Sequence, residues 1–168
     1  MMVPLPLHHI FAFRRLITSL LAQCSVVIAP DIFIMKHILS CRPTGLVLVP
    51  SACNLLIDHF SAFLRDNGPS LRYVEIGSEP ISPERLNALQ GLLPDAQIHL
   101  TYGLTEGRVG YLKRGPNGVF DRLASSNEGL TVRVVGTQGQ PTACGETGEI
   151  LLTGSGRFKG YWGIRPRQ

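Results

Sequence analysis

Within His-Leu-Thr-Tyr-Gly-Leu-Thr-Glu-Gly, residues 99–107, side chains of three different chemical uses lie close together. The Tyr102 ring can lie against a purine face, a contact worth roughly 1–3 kcal/mol per stacked base in nucleic-acid complexes. The Thr105 hydroxyl can donate to a phosphate oxygen. Glu106 by itself repels a phosphate and becomes useful when Mg²⁺ bridges carboxylate and phosphate. The combination suits a nucleotide with a metal. A buried strand followed by a plain polar turn uses the same residue types, so other motifs have to decide.

Groups of this kind work at the carboxyl end of a strand, where ligands sit in open α/β sheets. Ile98, Leu100 and Tyr102 alternate with smaller or polar residues, as a strand end should, and Gly103 permits a tight departure. The preceding chain repeats one pattern. An amphipathic helix over 14–24 is followed by a buried strand at 25–29, stopped by Pro30. Asp31 caps a helix running to about Ser40, with Ile34, Ile38 and Met35 inward. A second buried strand at 45–49 leads to Ser51 as the cap of a helix to about Leu64, closed by a turn at Asn67-Gly68-Pro69. A third strand spans 71–77, Ser82 caps the next helix with Pro83 in its first position, and 97–102 is the fourth strand. Short apolar strands alternating with helices imply an α/β fold: a mostly parallel, doubly wound sheet with helices on both faces. After Gly107 the helical period vanishes. Residues 131–135 and 149–153 read as a small antiparallel β unit, and 111–128 as a long loop beside the candidate site.

Composition sets outer bounds. The chain has 168 residues, enough for one domain burying about 70% of its unfolded surface. The net charge is +4, from 16 basic and 12 acidic residues, and Arg14-Arg15, Lys113-Arg114 and the basic residues of 157–167 are dispersed. That argues for solvated surface charge and against a nucleic-acid partner. Cys24, Cys41, Cys53 and Cys144 lack zinc-ligand spacing; apolar neighbours suggest buried, reduced thiols and a cytoplasmic setting. The run after Arg14-Arg15 is only about as long as the minimum h-region, contains Thr and Ser and is preceded by thirteen residues including His8 and His9, which argues against a signal peptide, and no run approaches the ~18 apolar residues of a membrane span.

Four motifs fall in order: Pro6-Leu7-His8-His9; Gly77-Ser78-Glu79-Pro80; Tyr102-Gly103-Leu104-Thr105-Glu106; and Gly148-Glu149-Ile150-Leu151-Leu152-Thr153-Gly154 leading to Gly160-Tyr161-Trp162. This series resembles the acyl-adenylate-forming superfamily of acyl-CoA synthetases, carrier-protein adenylation domains and luciferase-like ligases. The similarity runs from about Leu5 to Trp162. It implies that residues 1–107 and 108–168 are partial pieces of one adenylate-forming domain.

The resemblance also implies roles. Gly77, Ser78, Glu79, Pro80, Thr101, Tyr102, Gly103, Leu104 and Thr105 would contact ATP or AMP, with Tyr102 on the adenine. His9, Gly77 and Gly103 would border the acid. Thr105 and Glu106 would be catalytic, with Glu106 holding Mg²⁺. In the family a carboxylate attacks the α-phosphate of ATP, and the acyl-AMP is passed to a thiol of CoA or of phosphopantetheine on an acyl carrier protein. A phosphate loop ending in lysine, the ribose-binding aspartate, the carboxy-terminal domain and a recognisable Val-Gly-x-Pro step within 123–129 are not found. The expectation is therefore the middle of a larger enzyme, with little catalysis alone and apolar surface prone to self-association.

Other residues have plainer readings. His9 and His99 suit structural roles as well as catalytic ones, and His8, His37 and His59 carry no functional signal. Glu79 is either a metal or substrate contact or an exposed turn residue before Pro80. Glu149 reads as pairing within the β unit, and Tyr161 and Trp162 as packing anchors. Against the ligase stands a second hypothesis, a self-contained nucleotide or acyl-group binding module, and a flavodoxin-like domain is a third.

Overall fold

The computed structural model describes residues 1–30, 33–113 and 130–163. The strands β1 (Met2–Val3), β2 (Val27–Ile28), β3 (Gly45–Leu48), β4 (Tyr73–Gly77), β5 (Gln97–Gly103) and β6 (Arg108–Lys113) form one sheet in the order β2-β1-β3-β4-β5-β6. Every pairing from β2 to β5 is parallel. Helices α1 (Ile10–Leu21), α2 (Ile34–Cys41), α3 (Pro50–His59), α4 (Ser61–Asn67) and α5 (Pro83–Leu92) connect them. A separate antiparallel pair, β7 (Leu130–Val135) and β8 (Glu149–Gly154), follows. This is the α/β class with a parallel sheet and a small antiparallel unit. The chain divides into two compact units, one built on Met1–Thr101 and the other on Tyr102–Tyr111 together with the β7–β8 pair.

In the first unit, the two-residue period of the strands separates two apolar layers. Leu46 and Leu48 of β3, Val74 and Ile76 of β4 and Ile98 of β5 pack with Ile38, Leu56, Leu64, Leu86 and Leu89 of α2 to α5. On the other face Val3 and Val47 meet Ala12 and Phe11 of α1. The register Val74↔Ile98 and Ile76↔Leu100 keeps the larger layer on one side. Ser82 caps α5 as the sequence predicts, its Oγ accepting from the Arg85 N–H, with Pro83 behind it.

The second face carries a charge at its centre. Glu75 lies mid-strand in β4 with no solvent exposure. Thr101 Oγ1 donates to its Oε1 at 2.6 Å, Tyr73 Oη donates to Oε2 at 2.7 Å, and the Arg15 guanidinium pairs with Oε2. A buried carboxylate is tolerable only when paired and hydrogen-bonded in this way. Arg15 is therefore not a solvated surface charge, as dispersion along the sequence suggests, but the counter-ion of a buried acid. Its neighbours on α1 are less covered: Phe13, Ile17, Leu20 and Leu21 are exposed.

Several local expectations need correction. The segment at 25–29 is not a buried strand. Only Val27–Ile28 pairs, at the sheet edge, and Ile28 is 51% exposed. Ser51 does not cap α3; the helix begins at Pro50, whose fixed φ and missing N–H suit the first position, after an extended Val49. The helix expected to reach Leu64 breaks at Phe60, which takes φ −132° and packs on the core, and α4 restarts beyond it. β1 and β6 are not anticipated. β6 takes residues 111–113 from the expected loop, whose remainder lies outside the described residues, as do Asp31 and the basic residues beyond 163.

The thiols divide differently from the sequence reading. All four are free, but Cys24, Cys41 and Cys144 are exposed and only Cys53 is buried, so apolar neighbours in sequence were a poor guide to burial. Desolvation pushes the Cys53 thiol up to about 12, against a smaller opposing pull from Arg85.

Two outcomes test this packing. A disulfide reagent should form mixed disulfides with Cys24, Cys41 and Cys144 of the native chain promptly, releasing one reagent thiolate for each, and with Cys53 only on unfolding. Arg15→Met, which removes the counter-ion and leaves the acid buried, should lower unfolding free energy in urea by about 3–5 kcal/mol.

Candidate functional site

In the first unit the parallel strands end at one apolar cavity of about 650 Å³. Its lining begins where the strands stop: Pro4 and Leu5 after β1, Ala29 and Pro30 after β2, Val49 after β3 and Ser78 after β4. Carboxyl ends of parallel strands are where ligands bind in such sheets. Leu7, His9 and Phe11 are also in the wall, and His9 and Ser78 supply its polar side chains.

Local geometry explains how these residues arrive there. His9 is the extended N-cap residue of α1 and makes no side-chain cap bond; its ring lies 4.4 Å from that of His8. Gly77 is buried and leaves little room for a side chain, since a Cβ there would come within 3.1 Å of Phe11 Cζ and of the Thr101 carbonyl oxygen. Ser78 then takes φ +83°, a left-handed conformation rare for a non-glycine residue and concentrated at functional sites. Glu79 and Pro80 are exposed in the turn that follows. Thr101 pairs with Gly77 across β4 and β5, and its hydroxyl donates to Glu75. The His99 ring meets that of Tyr73 at a tilt of 39°, with centroids 4.7 Å apart.

The second unit holds the other motif. Tyr102 is 49% exposed, leaving its ring accessible for stacking. After Gly103 the chain turns tightly: the Leu104 N–H donates to the Gly107 carbonyl at 2.9 Å, and the Gly107 N–H returns to Leu104 at 3.3 Å. This turn carries an exposed Thr105 and a half-buried Glu106. Tyr161 Oη donates to Glu106 Oε1 at 2.6 Å, and the Phe158 N–H donates to the Glu106 carbonyl at 2.8 Å. The tyrosine hydroxyl, and after it the residue's own backbone N–H, hold the Glu106 carboxyl below the usual glutamate range; the same bond pushes the Tyr161 phenol up.

Glu106 is thus an ionised oxygen donor at neutral pH, the type Mg²⁺ takes from a protein when phosphates and water supply the remaining ligands. Among the described residues no cluster of three His, Cys, Asp or Glu is found. Sequence reasoning missed the partner. Tyr161 is not a packing anchor: it is 48% exposed and bonded to Glu106, and Trp162 is fully exposed rather than packed. The Gly160-Tyr161 motif was the available signal; the contact across 55 positions was not readable from it.

The parallel α/β sheet and the motifs at its strand ends point to one class, the AMP-binding enzymes. The chain belongs to the AMP-binding enzyme family, whose profile matches residues 1–162. It is 32% identical over 131 residues to the acyl-CoA ligase ppsA of Aspergillus oryzae, covering 71% of this chain and 23% of the relative. It is 29% identical over 164 residues to acyl-CoA synthetase 7 of Caenorhabditis elegans, covering 94% of this chain and 30% of that protein. The chain thus spans less than a third of either relative. Among solved structures, IdnL1 superposes with a TM-score of 0.84 at 24% identity, over 96% of this chain and 36% of the other. That likeness establishes the shared fold. Among the described residues no helix is long and apolar enough to cross a membrane.

The Glu106 contact predicts a titration. Its ionised form is favoured in the folded chain, so the contribution to stability is present above the ordinary glutamate pKa and lost as pH falls through the depressed value. Carbon-detected NMR should find Glu106 titrating below an ordinary glutamate, and Tyr161→Phe should return it upward.

Proposed function

We propose that this chain is part of an ATP-dependent ligase that activates a carboxylic acid as its acyl-AMP and passes the acyl group to a thiol. The observation that carries this reading is the apolar cavity at the strand ends, lined by His9 and Ser78, two of the residues that the family motifs assign to the acid and nucleotide. Among the described residues, its other wall residues are Pro, Leu, Phe, Ile, Ala and Val. A wall of this kind suits an acid that is apolar beyond its reacting carboxyl group.

In this reading Tyr102 stacks on adenine, Gly77, Ser78, Glu79 and Pro80 border the nucleotide, and Thr101, Gly103 and Leu104 shape the same strand end. Thr105 donates to phosphate. Glu106 holds Mg²⁺, which offsets charge on the phosphates as pyrophosphate leaves. His9, Gly77 and Gly103 border the acid. The thiol acceptor is CoA or carrier-bound phosphopantetheine, and the relatives named as acyl-CoA ligase and synthetase support the former. Exposed free thiols at Cys24, Cys41 and Cys144 suit a reducing, cytoplasmic setting. The exposed apolar face of α1 favours self-association of the chain by itself.

Calorimetric titration with AMP and with non-hydrolysable acyl-adenylate mimics tests the reading. Saturable binding that Tyr102→Ala weakens by about 1–3 kcal/mol is expected from loss of a stacked base, with mimics bearing apolar acyl groups preferred over aminoacyl ones. No binding by a folded sample, or preference for the aminoacyl mimic, would count against it.

A further inference from the structure

We propose that Tyr161 is a positioning residue for Glu106: its hydroxyl holds the carboxylate in the orientation in which it meets a divalent cation carried by a nucleoside triphosphate. The inference rests on the reading of Glu106 as the metal-holding group. Its own support is geometric and lies wholly within the second unit.

The phenol oxygen is 2.6 Å from Glu106 Oε1, a short hydrogen bond to a charged acceptor. The segment that delivers it is tied to the same residue by its backbone, through the Phe158 N–H and the Glu106 carbonyl at 2.8 Å. The Phe158 and Tyr161 rings meet edge to face at 4.9 Å, so the phenol is braced from the side as well. Between them Gly160 takes φ +142°, where an L side chain is strained although a Cβ would meet nothing within 4 Å. The glycine is therefore needed for the path of the chain that turns Tyr161 toward Glu106, not for space. Trp162, next in sequence and fully exposed, has no such tie.

A carboxylate offers about four lone-pair positions. The phenol takes one on Oε1 and leaves those on Oε2 for a cation. Mg²⁺ demands near-octahedral ligand geometry, so a carboxylate spinning on an exposed turn would present a usable oxygen for only part of the time. The hydroxyl removes that rotation before the cation arrives, the part an outer-shell partner plays at metal sites generally.

The test measures nucleotide affinity of the full chain with and without metal. A non-hydrolysable ATP analogue is titrated in Mg²⁺ and in EDTA, metal-free AMP is titrated separately, and Mn²⁺ relaxation enhancement gives a direct metal readout. Tyr161→Phe is expected to weaken the metal-dependent gain in affinity by about tenfold or more, in line with loss of an outer-shell partner, and to leave metal-free AMP binding within about twofold. Glu106→Gln should abolish the metal-dependent gain, and adding Tyr161→Phe to it should cost nothing more. Trp162→Ala should change neither quantity.

Equal losses with and without metal in Tyr161→Phe would make the tyrosine merely structural and overturn the proposal. So would an unchanged metal-dependent gain, or a further loss in the double variant. If the unaltered chain binds AMP yet gains nothing from Mg²⁺ or Mn²⁺, the metal reading of Glu106 fails and this inference falls with it. An unaltered chain that binds no nucleotide would sink the functional reading itself.

Discussion

The sheet is organised around a carboxylate that has no access to water. Glu75 sits in the middle strand of three that pair in register, and each of its oxygens has a partner: Thr101 from β5, Tyr73 from its own strand and Arg15 from α1. Removing a carboxylate from water costs several kcal/mol unless attraction and hydrogen bonds offset it. The arrangement consequently fixes three things at once. It sets the rotation of α1 over the sheet, the register of β4 against β5, and the direction of the Thr101 side chain one residue before the exposed Tyr102.

The same economy of placement governs the cavity. Four parallel strands stop at nearly the same level, and the residues that follow them are Pro, Leu, Ala, Val and Ser, small or rigid groups that let the chain turn away and leave a space. Gly77 admits the Phe11 ring, and the left-handed Ser78 ends β4 abruptly. The lining supports the acid-binding role proposed for this space.

Much of the candidate site was legible in the sequence because its motifs are contiguous. Gly77-Ser78-Glu79-Pro80 and Tyr102-Gly103-Leu104-Thr105-Glu106 lie at the ends of β4 and β5, where alternation and glycine placed them. The helix start at Ser82-Pro83 was equally plain, since a cap and a proline act within one turn. The errors share one cause. For Val27–Ile28, the exposed cysteines, Arg15, Tyr161 and Trp162, sequence neighbours are a poor guide, because edge position, exposure and pairing depend on elements far along the chain.

By itself, then, the sequence determined the alternation of strands and helices, the order of the family motifs and the local turns that end each strand. These are set by side-chain period, caps and backbone preference, all short-range. Only the tertiary structure decided that β1 lies between β2 and β3, that Arg15 neutralises Glu75, that strand ends enclose an apolar cavity and that Tyr161 bonds Glu106. Each of those requires residues separated by tens of positions to meet. The residue types allow many such meetings, and it is the register and packing of the folded sheet and hairpin that select one.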